Sequence, residues 1–165
     1  MAVREKHRSF DLKKRKRDTS IGMINQGSYC LNVRKQKITW DTDMDKIQII
    51  RNGLPYECIE AVGSMAAVPV KFMLERMGIP QTTYNKGKRE ASLMSGRDSE
   101  IVLDLFELMQ FGVQVFNGEK EKFQRWLKKT NISLGNQTPE SLFDSITGIQ
   151  EVKNCLNRLE FGNFA

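Results

Sequence analysis

One histidine stands in 165 residues, and it lies at position 7 inside a run of basic side chains. His7 has no fixed neighbours with which to form a catalytic triad, and a single imidazole cannot supply a histidine-based metal site. Cysteine is scarce as well. Cys30, Cys58 and Cys155 are odd in number and far apart, with no CxxC pair, so neither a zinc site nor a disulfide framework is indicated. They read as reduced thiols of a cytoplasmic protein, with Cys155, on an apolar helical face, placed in the core. No apolar run approaches the roughly 20 residues that a membrane helix needs. No apolar stretch follows the N-terminal charges, so no secretory signal is expected either. A P-loop and a dinucleotide-binding glycine pattern are both missing. Pairs such as Glu119 and Glu121 fit a solvated helix face better than an acid/base couple. The expectation is a protein that is not an enzyme, with no catalytic residues, no metal, no cofactor and no small-molecule substrate.

What is present is charge, and it is unevenly spread. Residues 1–20 hold eight Lys/Arg against three Asp/Glu, a surplus of five out of the chain's net +6. A basic arm on a near-neutral body suits an anionic polymer, nucleic acid being the usual one; a solvated tail is the plainer alternative. Residues 1–45 show no sustained helical period. They read as a flexible arm, with room for a short strand at Ile21–Ile24 or Tyr29–Val33. Trp40 and the acidic run Asp41, Asp43 and Asp45 mark the start of the ordered part.

From residue 46 onward the period is helical, and the fold class is all-α. Gly53 interrupts a first segment carrying Ile47, Ile49 and Ile50. Pro55 suits the first turn of a second helix, which Gly63 is placed to stop. Pro69 opens a third, ending at Gly78, and Ile79-Pro80 starts a fourth. Ser95, with Asp98 three residues on, caps a long helix that runs to about Asn117 before Gly118. A short helix covers 119–129. Thr138-Pro139 reads as an N-cap and first helical residue. Thr147 and Gln150 have capping-box spacing for a last helix, whose stripe is Ile149, Val152, Leu156 and Leu159 and whose stop is Gly162. The expected division is an arm at 1–45, one domain at 46–117 and another at 118–165.

Residues 69–90, PVKFMLERMGIPQTTYNKGKRE, have the layout of a helix-turn-helix: an apolar helix, a turn with glycine, then a polar helix for the major groove. The face offered there is Gln81, Thr82, Thr83, Asn85, Lys86, Lys88 and Arg89, side chains that pair with base edges or phosphates. Helical pairs of this kind also occur in bundles that never touch DNA, and Gly87 weakens the second helix by about 1 kcal/mol.

The C-terminal third carries the most specific pattern. Trp126-Leu127, Leu134-Gly135, Thr138-Pro139, Leu142, Gly148, Val152, Leu156, Arg158 and Gly162 follow in order. This segment resembles the toxin-binding domain of the Xre/MbcA/ParS antitoxins. Gly53-Leu54-Pro55, Gly78-Ile79, Thr83 and Ser99 are similar to the Xre-type members whose partners are RES-domain toxins. The likeness spans about residues 46–165 and leaves the arm unexplained. Where those relatives have an arginine-rich stretch after the threonine, this chain has YNKGKRE. The resemblance implies a Cro/repressor-like helix-turn-helix domain followed by a small helical toxin-binding domain. It also implies a homodimer, a RES-type toxin that consumes NAD or transfers ADP-ribose, and operator DNA as a second partner. Inhibition would come from the C-terminal helix and tail covering the toxin's NAD site. The residues so implied are Asn157, Arg158, Glu160, Phe161, Gly162, Asn163, Phe164 and Ala165, with Phe161 and Phe164 as aromatic anchors. The alternative is that both phenylalanines fold back onto the domain's own core. A stand-alone helix-turn-helix regulator without a toxin is the competing function.

Overall fold

The computed structural model describes residues 28–33 and 36–162. Two strands, β1 (Tyr29–Val33) and β2 (Gln36–Trp40), pair antiparallel, with Tyr29 opposite Trp40 and Val33 opposite Gln36. Side chains alternate across the ribbon: Leu31, Val33 and Trp40 are buried, Cys30 and Asn32 exposed. Trp40 stacks on Tyr29, packs against Phe106 and donates from Nε1 to Glu107 Oε1 at 2.9 Å. The strand expected at Tyr29–Val33 is therefore real, but it belongs to the body and not to a flexible arm. Its partner strand has only Ile38 and Trp40 to mark it, too few apolar points for a period to show. The alternative strand at Ile21–Ile24 lies outside the described residues.

Among the described residues seven α-helices follow: α1 (Asp43–Asn52), α2 (Glu57–Ala66), α3 (Val70–Met77), α4 (Gln81–Glu90), α5 (Gly96–Val115), α6 (Lys120–Leu127) and α7 (Ile146–Glu160). The class is all-α, a helix-turn-helix unit followed by a small helical domain, with the hairpin added at one side. A reciprocal capping box, Thr42 with Asp45, starts α1. Ser95 caps α5 by accepting from the Asp98 amide at 3.1 Å. Gly63 does not stop α2. The helix runs on to Ala66, and Gly63 is buried where a Cβ would stand 3.2 Å from the Val68 carbonyl and 3.3 Å from Met73 Cγ. Glycine is used there for close approach of α2 and α3, not for termination.

The hub is α5. Ile101, Val102, Leu103, Leu105, Phe106, Leu108 and Met109 are all buried, so the helix is apolar on more than one face and is covered on several sides. It packs against α1, α2, α6 and α7. One continuous core runs from Leu31 to Leu156 through it. The first turn of α1 is tied to the same helix: Lys46 reaches Asp104 at 2.5 Å and Glu107 at 2.9 Å. No helix among the described residues is long and apolar enough to cross a membrane.

Ser99, buried in α5, accepts from the Leu54 amide at 2.9 Å, while the Leu54 carbonyl accepts from Met94 at 2.8 Å. Gly53, at φ 84°, passes so close that a Cβ would meet the Met94 carbonyl at 2.6 Å. Residues 53–55 are thus strapped across the N-terminal end of α5. Replacing Ser99 by alanine leaves the Leu54 N–H buried without an acceptor. The expected loss is about 1–3 kcal/mol, measured as a lower urea midpoint at unchanged slope.

Candidate protein- and nucleic-acid-binding surfaces

In the α3–α4 pair, Gly78 takes the left-handed conformation at φ 70°, and the Ile79 amide closes the end of α3 on the Leu74 carbonyl at 2.9 Å. Met73, Leu74, Met77 and Ile79 are buried in the common core, together with Tyr84 of α4. This leaves Gln81, Thr82, Thr83, Asn85, Lys86 and Arg89 exposed on α4, with Gln81 and Asn85 bonded to each other at 3.0 Å. Lys88 differs from its neighbours. It is half-buried, ion-pairs with Glu60 of α2 and lies over the Tyr84 ring. Tyr84 also donates to Glu60, and burial together with that carboxylate pushes its phenol well above the ordinary range. Glu60 therefore pins α4 to α2 through two side chains. Gly87, which weakens an isolated helix, faces the Tyr56 ring at a distance where a Cβ would stand 2.3 Å from Cε2. Helix propensity is given up there for docking against α2's first turn.

In the C-terminal unit, Phe123 and Leu127 of α6 are buried, and half-buried Trp126 stacks on Phe123. Gly112 of α5 admits the Phe123 ring, since a Cβ there would lie 2.2 Å from it. The loop after α6 is a built structure. Asn131 accepts from the Ser133 amide at 2.9 Å, exchanges backbone contact with Gln137, and donates to Cys155 Sγ at 3.3 Å. Leu134 is buried in the 3-10 turn Ile132–Leu134, and Gly135 leaves it at φ 64°. Thr138-Pro139 opens only a second 3-10 turn, Pro139–Leu142, and Thr138 makes no side-chain cap. The cap of α7 is Ser145, accepting from Gly148 at 3.1 Å, so Thr147 sits inside the first turn and not before it. Two S/T residues lay at competing spacing, and Ser145, three residues before the amide it accepts from, is the cap. A Cβ on Gly148 would stand 2.3 Å from the Leu142 carbonyl.

Ile149, Val152 and Leu156 of the expected stripe are buried, as is Cys155, while Leu159 is only half-buried. The far end emerges: Asn157 and Arg158 are half-exposed, Glu160, Phe161 and Gly162 exposed, and Gly162 turns at φ 65°. Phe161 is 71% exposed, so it does not fold back on the domain. Asn163, Phe164 and Ala165 lie outside the described residues. Burial pushes the Cys58 thiol up to about 12.

Glu140, in the second 3-10 turn, has Oε2 buried without a hydrogen-bond partner. Burial raises its pKa, and the nearby Lys128 and Arg76 offset this only in part. A carboxyl whose folded pKa is raised contributes stability that is complete below its unfolded value, and that contribution disappears as pH rises through the folded one. Glu140→Gln is therefore expected to stabilise the protein at pH 7, by about 1 kcal/mol. The gain should fade as pH is lowered through the glutamate range, which melting curves between pH 3.5 and 7.5 would register.

Most of the motif read from the C-terminal third is thus core and turn chemistry: Leu127, Leu134, Gly135, Pro139, Gly148, Val152 and Leu156 hold the unit together. A chain that repeats these residues repeats the fold. Residues 112–162 match the family described as the antitoxin Xre/MbcA/ParS C-terminal toxin-binding domain. The match begins inside α5, six residues before the boundary expected at 118. The chain is also similar to an Antitoxin Xre of Yersinia enterocolitica, 27% identical over 119 residues, 72% of this chain and 80% of the relative. An Antitoxin Xre of Photorhabdus laumondii is 27% identical over 69% of this chain and 77% of its own. A Prs ADP-ribosylating antitoxin of Sphingobium sp. is 28% identical over 74% and 82%. Residues 112–162 thus carry the pattern of that toxin-binding domain, and over about 70% of its length the chain is similar to Xre antitoxins.

Three features escaped sequence reasoning: the β2 strand, the Glu60 anchor of α4, and Ile132, which is 86% exposed. Only Ile132 left a trace in the sequence, as one isoleucine among the polar residues of NISLGNQ.

Proposed function

We propose that this antitoxin acts in the cytoplasm on a RES-type toxin that consumes NAD or transfers ADP-ribose, covering the toxin's NAD site with the end of α7 and the tail that follows. The observation that carries this reading is the C-terminus of α7. Its buried stripe fixes the helix, while Arg158, Glu160 and Phe161 stand out in the last turn, and Gly162 redirects the chain. An exposed aromatic beside charged groups is a common anchor for a partner pocket. The likeness to a relative whose name specifies ADP-ribosylation supports ADP-ribose chemistry in the partner. Asn157, Asn163, Phe164 and Ala165 complete the proposed contact.

The same reading gives α4 to operator DNA. Gln81, Thr82, Thr83, Asn85, Lys86 and Arg89 form its free face, whereas Lys88 is engaged by Glu60. A homodimer would place two such helices on half-sites about one helical turn apart. The competing function, a regulator without a toxin, is disfavoured by the toxin-binding family of residues 112–162. Co-expression tests the proposal. The product of the adjacent gene should arrest growth and deplete NAD or modify a protein with ADP-ribose, and this chain should relieve the arrest. A neighbour whose arrest this chain leaves unrelieved would refute the inhibitor role.

A further inference from the structure

We infer that the toxin-contacting surface has a second anchor, Ile132, set beside Trp126 and Lys129 and separate in sequence from the α7 tail; this rests on the toxin reading above. An isolated exposed isoleucine means little by itself. Here the residue is held out by a rigid frame. Asn131 fixes the turn from below through Ser133, Gln137 and Cys155, and Leu134 is buried on the other side. A shallow cleft lined by Trp126, Lys129, Thr130, Asn131 and Ile132 lies at the tip. Trp126 is only half-buried although its neighbours Phe123 and Leu127 are fully covered, so apolar surface remains open next to the isoleucine.

The Asn131–Cys155 contact sets the position of this patch along α7. Phe161 is six residues beyond Cys155, a rise of about 9 Å. Arg158 follows Cys155 by three residues and so shares its face one turn nearer the end. The Ile132 turn and the α7 terminus therefore stand at the same end of the domain, within reach of one partner. All of these residues lie inside the stretch that matches the toxin-binding family. The occupant to which this points is the toxin, and its complementary surface is an apolar pocket facing Ile132 and Trp126, with an acidic rim toward Lys129.

The test uses the full chain and the toxin encoded beside it, with affinity read by titration calorimetry. Ile132→Asp is expected to weaken binding about 30-fold and Ile132→Leu to restore most of it, as for a buried anchor at an interface. Lys129→Glu should weaken it about fivefold, less at high salt. Because the Ile132 side chain is exposed, the melting temperature of the free chain should not move. If the wild-type chain binds and Ile132→Asp binds within twofold of it, the second anchor is wrong and the α7 reading stands. If Ile132→Asp instead shifts the oligomeric state and leaves toxin affinity alone, the patch faces a second copy of this chain and the inference is overturned. If the wild-type chain does not bind the toxin at all, the parent reading fails and takes this one with it.

Discussion

Removing residues 161–165 is expected to abolish toxin neutralisation while leaving the fold intact. The α7 stripe that holds the helix ends at Leu159, and the core residues Ile149, Val152, Cys155 and Leu156 all precede the cut. Phe161 is exposed in the free protein, so its loss removes no packing. An aromatic anchor buried in a partner is worth 2 kcal/mol or more, roughly 30-fold in affinity, and the tail carries a second phenylalanine, Phe164. Phe161→Ala alone should therefore weaken binding by at least ~30-fold, and truncation further, with an unchanged melting temperature. Full relief of growth arrest by the truncated chain would place the inhibitory contact elsewhere. Phe161→Ala separates binding from folding, because the side chain it removes is exposed.

Gly148→Ala should do the reverse and damage the fold itself. Its Cβ would stand 2.3 Å from a backbone carbonyl, that of Leu142, and a carbonyl in a 3-10 turn cannot swing aside as a side-chain end can. The first turn of α7 must lift, which disturbs Ile149 and Val152 against α5. Overpacking of this kind costs about 3 kcal/mol or more. At this chain length that corresponds to a fall in melting temperature of ~10 °C. Gly112→Ala is the useful comparison. Its clash is with the Phe123 ring on the neighbouring helix, so relief comes from sliding α6 and the loss should be smaller. Because one core spans both units, calorimetry should show a single transition for each variant.

Both predictions rest on residues visible in the sequence, but for reasons the sequence showed unequally. Leu142, Gly148, Val152 and Leu156 announce the C-terminal unit because their types and spacing are those of a particular packing. The surface residues that do the binding are under no such constraint, and for that reason a pattern reading places them poorly. Lys88 illustrates this. On α4 it reads as one more basic side chain for phosphate, and only the fold reveals Glu60 opposite it on α2. Gly87 reads as a flaw in a helix until the Tyr56 ring is found against it.

The amino-acid sequence by itself determined the helical class, the α3–α4 layout, the Ser95 cap, the apolar stripe of α7 and its stop at Gly162, together with the family pattern. These are local or periodic properties, written over a few turns of chain. Tertiary structure alone decided that the Tyr29–Trp40 hairpin belongs to the body, that Ser145 and not Thr147 caps α7, that Gly63 and Gly87 serve packing, and that Phe161 and Ile132 stand exposed. Those outcomes depend on contacts between residues far apart in the chain, such as Trp40 with Phe106 and Asn131 with Cys155, and no local spacing encodes them.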